Sequence, residues 1–340
     1  MGYTKLVGWV GTLGLLAGLV ACGGSRPSSG APTAALPDEP PPPARNVPGA
    51  SPLVKQGEAK LQAKDLEGAR ALFEQAAQED PHDARAQLDL GITGELLADP
   101  KAAEAAYRRA VEIDGNLAEA LNNLGVLLRD RGQLDEAVPL LERAAAANPG
   151  SSAAQANLGL ALEDKGDLTG AEAAYRKALQ LKNPELMTRV NLGLLLVGKG
   201  DLDGGRSELR AALPEAAGNR PALVAIGNGL RRGSDAQGAL QAMQGAVESG
   251  GDPTPALLSE LALAQRAAGD RDAAIATLER ALALDAKYAT AHYLLGNLFA
   301  GGNKPADAKK HYERYLALEP KGPQADQARE RIKMLKTLKK

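Results

Sequence analysis

Aromatic side chains make up only 3% of this 340-residue chain, which has one cysteine, Cys22, and three histidines, His82, His292 and His311. One cysteine excludes a disulfide framework within the chain, and so few Cys and His leave a metal site without its usual donors. The scarcity of aromatic and β-branched residues argues against a core built from strands. Neither sign of charge dominates: 40 Lys and Arg stand against 42 Asp and Glu, so no global basic field would hold nucleic acid. The spacings of common catalytic sites are missing too, for no G-x-x-x-x-G-K-[ST], G-x-S-x-G or H-E-x-x-H occurs. Gly227-Asn228-Gly229 has no strand before it. The acidic pairs Glu79-Asp80 and Glu163-Asp164 fall at helix ends, where they read as solvated turns. A non-enzymatic protein with no cofactor and no small-molecule substrate is expected.

What is there begins with an address. Lys5 precedes an apolar run from Leu6 to Val20, short for a bilayer span and laid out like a secretory signal. The run ends in Leu19-Val20-Ala21-Cys22, which resembles the bacterial lipobox, with the chain's one cysteine at the acceptor position. That resemblance implies a signal peptide over 1–21, cleavage before Cys22 and acylation there. Each buried acyl methylene adds about 0.8 kcal/mol of membrane affinity. Gly23 rather than Asp follows the cysteine, which by the same resemblance points to the outer membrane, on the periplasmic side. Residues 22–49 are rich in Pro, including Pro40 to Pro43, and are expected to be a disordered tether.

Between 50 and 322 the sequence repeats itself. Gly57, Gly91, Gly125, Gly159, Gly193 and Gly227 recur every 34 residues; Ala262 takes the place one residue late, and Gly296 follows. A second set accompanies them: Ala69/Phe73/Ala76, Ala103/Tyr107/Ala110, Ala137/Leu141/Ala144, Ala171/Tyr175/Ala178, Ala239/Met243/Ala246, Ala274/Leu278/Ala281 and Ala308/Tyr312. Apolar residues at three- and four-residue spacing give two amphipathic helices per copy. Gly132, Gly166, Gly200 and Gly269 fall between them, where a left-handed C-cap is wanted, and Asp135, Thr169, Asp203 and Asp272 are expected to cap the second helix. Glycines gather near 198–252, at about 1 kcal/mol each inside a helix, so a softer stretch is expected there. Residues 323–340 predict a basic cap helix, carrying Arg329, Arg331, Lys333, Lys336, Lys339 and Lys340.

This pattern resembles the tetratricopeptide repeat, with its L-G-x2-Y, A-x3-F and terminal Pro. The resemblance implies an all-α, right-handed superhelical solenoid of about eight helix-turn-helix repeats, ending in the cap. It also implies that first helices line a concave groove for protein partners. Counting each repeat glycine as position eight, position six holds Asn123, Asn157 and Asn191, a ladder similar to the peptide-gripping ladders of some tetratricopeptide proteins. An amide offers a donor and an acceptor to an extended backbone; the same asparagines are equally placed to satisfy a neighbouring helix. Other groove candidates are Arg129, Glu163, Asn228, Arg231, Arg232, Arg266, Tyr293 and Asn297, with the three arginines of 231, 232 and 266 suited to a carboxylate.

By the same resemblance to tetratricopeptide lipoproteins of pilus and gliding systems, the expected function is a membrane-anchored scaffold for a cell-envelope machine. A structural envelope spacer and an accessory subunit of polysaccharide export stand as the alternatives.

Overall fold

A computed structural model describes residues 51–337, and every regular element among them is a helix. The expectations for the signal peptide, Cys22 and the tether lie outside the described residues. Seventeen helices follow one another in hairpins. They are α1 (Pro52–Gln62), α2 (Leu66–Glu79), α3 (Ala84–Leu96), α4 (Pro100–Ile113), α5 (Ala118–Asp130), α6 (Leu134–Ala147), α7 (Ser152–Lys165) and α8 (Leu168–Gln180). Then come α9 (Leu186–Lys199), α10 (Leu202–Ala212), α11 (Arg220–Arg232), α12 (Ala236–Glu248), α13 (Pro255–Ala267), α14 (Arg271–Leu284), α15 (Ala289–Gly301), α16 (Pro305–Leu318) and α17 (Ala325–Thr337). Each repeat glycine sits in the first helix of its hairpin.

Every hairpin turns the same corner, and its chemistry is local. Eight residues at one register have positive φ: Gly132, Gly166, Gly200 and Gly269, as expected, but also Lys64, Ala98, Ser234 and Asn303. The amide after the corner reaches back to satisfy an orphan carbonyl of the first helix, as in Asp99 N–H to Gly94 O at 2.8 Å and Asp167 N–H to Leu162 O at 2.9 Å. That residue then caps the second helix. Asp65, Asp99, Asp167, Asp201, Asp235 and Asp270 each accept from an amide three residues on. The expected caps Asp135, Thr169, Asp203 and Asp272 are therefore two residues too late. They lie in the first turns of α6, α8, α10 and α14, because the cap falls one residue after the corner rather than three. In α6 the cap is Gln133, with no side-chain hydrogen bond.

Packing divides the chain into two units, with the boundary in sequence between Thr188 and Arg189. In the first unit, Phe73, Tyr107, Leu141 and Tyr175 on second helices are fully buried, and burial of such a side chain is worth about 1.5–3 kcal/mol. Their rings and methyls cover the repeat glycines of their own hairpins: a Cβ at Gly57 would lie 2.4 Å from Phe73, and one at Gly159 2.6 Å from Tyr175. First helices of neighbouring hairpins also touch one another directly, α1 against α3 and α5 against α7. That places the row of first helices on the tighter face of the unit.

The second unit uses the same joints. Its glycines in α10 and α11 stand in close packing: a Cβ at Gly205 would meet Val197 at 2.6 Å, and one at Gly229 would meet Leu194 at 2.6 Å. The last hairpin is covered by α17, which turns Ala325, Ala328 and Leu335 inward against Tyr312 and Tyr315. Tyr315 Oη donates to Gln324 Oε1 at 3.0 Å and accepts the Gln324 amide at 3.1 Å, which pins the start of the cap.

Candidate functional site

Buried polar side chains concentrate on the first helices of the first unit. Arg85, near the start of α3, reaches Glu119 of α5 at 3.2 Å, Asp89 of its own helix at 3.4 Å and Glu58 of α1 at 3.9 Å. Asp89 and Glu58 are almost wholly buried, so this guanidinium offsets charge that water cannot reach. Sequence reasoning missed this group. The available signal was the exchange of Arg85 for Glu119 34 residues later, at the same register.

One repeat further on, Asn123 and Asn157 are buried and linked through a residue that the sequence analysis left out. Asn157 Nδ2 donates to Asn122 Oδ1 at 2.9 Å, and Asn122 Nδ2 donates to Asn123 Oδ1 at 3.3 Å. The ladder thus spends part of its amide capacity between α5 and α7, the neighbouring-helix role left open above. Above it is a recess of about 40 Å³ lined by Ile92, Glu119, Asn122, Asn123, Ser151 and Ala154 among others. Asn191, the third rung, is also buried but belongs to the second unit.

The third group centres on Arg129, whose side chain is 4% exposed. Its Nη2 donates to Asp130 Oδ1 at 2.8 Å, and its Nε stands 3.6 Å from Asp164 Oδ2. Glu95 of α3 and Glu163 of α7 occupy the same register as Arg129. Burial pushes the Glu95 carboxyl up to about 7; the charge of Asp130 adds to the rise and the Tyr107 hydroxyl opposes it. Burial likewise raises Glu163, against a hydrogen bond of 2.8 Å from Tyr175 Oη. Asp164 is raised by burial and by Asp130, with Arg129 opposing. Two carboxylates therefore share one cation, and each has a further carboxyl group beside it.

In the second unit the expected residues are dispersed. Arg231 Nη2 donates to Asn228 Oδ1 at 3.2 Å and lies 3.9 Å from Glu260, while Arg232 and Arg266 are exposed. Tyr293 is not a free groove residue: its hydroxyl donates to Gln327 of α17 at 2.6 Å, and its ring packs 5.4 Å from that of Tyr315. Asn297 is likewise engaged, accepting from Tyr312 Oη at 2.8 Å. Both serve the closing of the last hairpin, because the cap helix covers the face that an intermediate repeat would leave open. Beside them, His292 Nδ1 and His311 Nδ1 meet at 3.0 Å. Burial is the main cause that holds both below the ordinary imidazole range, His311 at about 4.

Chemically these groups offer hydrogen bonds and charge to a surface ligand. Among the described residues no helix is long and apolar enough to cross a membrane. Residues 54–118 and 122–185 match the family model described as tetratricopeptide repeat, and 262–301 match a TPR repeat model. No match is found among curated proteins. A chain of the APC/C hetero-tetramer Cut9–Hcn1 is similar at 17% identity and a TM-score of 0.51, covering 83% of this chain. This chain spans 55% of that one's length. A tetratricopeptide repeat protein from Parabacteroides merdae is similar at 16% identity and a TM-score of 0.52, covering 68% of this chain and 92% of that one. YrrB, described as a TPR protein with an unusual peptide-binding site, is similar at 22% identity and a TM-score of 0.45, over 58% of this chain and 97% of its own. The first two likenesses, with TM-scores above 0.5, show the fold. Three segments of the chain thus carry tetratricopeptide repeats.

Proposed function

Starting from a chain built on tetratricopeptide repeats, we propose that it is a lipid-anchored scaffold that gathers protein partners of a cell-envelope machine of the motility, pilus or secretion type. The observation that carries the binding half is the polar row on α3, α5 and α7, where Arg85, Asn122, Asn123, Asn157 and Arg129 stand on the face along which first helices adjoin. Soluble repeats need small residues there to pack; a row of amides and charges, at a desolvation cost of about 1–3 kcal/mol for each group left unpaired, is suited to a protein ligand. The anchor half rests on Leu19-Val20-Ala21-Cys22. Acylation at Cys22 would hold the protein at the outer membrane, facing the periplasm, with residues 23–49 as tether. On this reading the protein has no catalytic role and takes neither nucleic acid nor a small-molecule substrate.

One observation favours the spacer alternative: Asn122, Asn123 and Asn157 hydrogen-bond to one another and so ask less of a partner. Crosslinked capture from native membranes separates the two. Wild type, Cys22→Ser and an Asn122→Ala/Asn157→Ala variant would be compared, with circular dichroism to check folding. Loss of a defined envelope protein from the asparagine variant supports the scaffold. An unchanged set of captured proteins favours the spacer, and a Cys22→Ser chain that remains acylated and membrane-bound ends the anchor reading.

A further inference from the structure

We propose that the Arg129 centre of the first unit receives a basic side chain, lysine or arginine, from an extended partner segment, seated against Asp130 and Asp164 and facing Glu95 and Glu163. The proposal rests on the groove-binding function above and names the chemistry of the ligand.

Charge arithmetic is the first support. Asp130 and Asp164, near the ends of α5 and α7, share a single guanidinium, with Glu95 close to Asp130 and Glu163 close to Asp164. Arg129 makes one hydrogen bond within this group, to Asp130; Asp164 is beyond hydrogen-bond distance at 3.6 Å. Arg131 and Lys165, the cations next to Asp130 and Asp164 in sequence, are committed elsewhere. Lys165 Nζ is 2.9 Å from Asp135, and Arg131 is held by Glu104 and by the Pro100 carbonyl. Asp164, with a side chain 46% exposed, is the carboxylate of this group that an incoming ammonium or guanidinium can reach.

The second support is independent of the acids. Tyr107 is fully buried, and no acceptor stands in good hydrogen-bond geometry to its hydroxyl. In the equivalent place two repeats on, Tyr175 does bond Glu163. Arg129 Nη1 is likewise buried without a partner. Buried polar atoms left open at about 1–3 kcal/mol each, aimed into one cluster, mark a site that its own chain does not complete. A ligand cation that draws Asp164 and Asp130 onto itself frees Arg129 to turn and satisfy its open nitrogen on the ligand's backbone carbonyl. Register sets the specificity: the corresponding first-helix ends in α11 and α13 carry Arg231, Arg232 and Arg266, which would repel such a ligand.

The test uses the full chain, purified in detergent, and a fluorescent nine-residue peptide repeating Arg-Ser-Ala, with citrulline replacing arginine in a matched control. Anisotropy is expected to show binding that falls with salt and is weakened about tenfold or more in Asp130→Asn/Asp164→Asn. Glu112→Gln/Glu142→Gln, which removes the same charge from exposed positions of the same unit, should bind as wild type does. Equal weakening in both double variants would mean that only diffuse charge is read, and would overturn the site. So would equal affinity for the citrulline peptide, or no binding in a variant set that stays helical. If membrane capture still yields an asparagine-dependent partner while this peptide fails, the scaffold survives and the basic-ligand inference does not.

Discussion

Tyr107 lies so close to Gly91 that a Cβ added at position 91 would fall 2.3 Å from the ring atoms Cδ1 and Cε1. The hairpin α3–α4 closes on this contact, with the glycine acting as the socket and the ring as the plug. Gly91→Ala should therefore displace the ring and cost about 1–3 kcal/mol. Urea unfolding followed by circular dichroism would read the loss. A variant as stable as wild type would mean that the helices separate at little cost, and the close joint would lose its importance.

Ala98 occupies the left-handed corner at φ 55°, a place where four other hairpins use glycine. That conformation costs a residue with a Cβ roughly 1–2 kcal/mol, partly balanced by the greater freedom of glycine in the unfolded chain. Ala98→Gly should stabilise the protein by about 0.5–1 kcal/mol, while Gly132→Ala should do the reverse. Thermal melting of the pair checks both signs.

The Glu95 carboxyl gives the first unit a definite pH dependence. Its folded pKa, about 7, lies above its ordinary value of 4.5 because burial disfavours the charged form. A raised pKa means that the folded state binds the proton more tightly. Its contribution is thus fully present below pH about 4.5 and lost as pH rises through about 7. Glu95→Gln should be more stable than wild type at pH 8, by on the order of 2–3 kcal/mol, with the advantage shrinking towards pH 5. A difference that does not change with pH would show that this carboxyl does not titrate in that window.

Asn157 tests whether the ladder is structural. Removing its amide leaves Asn122 Oδ1, now bonded at 2.9 Å, without its donor in a buried place. Asn157→Ala should cost about 1–3 kcal/mol in equilibrium unfolding. A neutral outcome would return the amide to a purely ligand-facing role.

Legibility differed between the fold and the site. The two-helix repeat, its count and its corner were written at fixed offsets. Glycine at 132, 166, 200 and 269 marked the turn, and Ala69/Phe73/Ala76 and its echoes marked the buried stripe. The caps were misplaced by two residues, since Asp167 and Thr169 are both good cap types and only the backbone tells which one precedes the first helical turn. Tyr293 and Asn297 looked groove-facing by register, and the repeat pattern held nothing about α17 lying over that face or Tyr312 claiming the amide. Arg85 and Glu95 escaped notice because each gains its meaning from a residue on another helix.

By itself the sequence determined an all-helical chain of repeating hairpins, because those signals act within one repeat: amphipathic spacing, a left-handed corner and a small residue opposite a large one. Only the tertiary structure decided which polar side chains are spent inside the protein and which remain for a partner. Asn123, Asn157 and Arg129 share equivalent registers with residues of quite different fate. Asn157 meets Asn122 of the preceding repeat at 2.9 Å and Arg129 meets Asp164 of the next at 3.6 Å, pairings that no periodicity encodes.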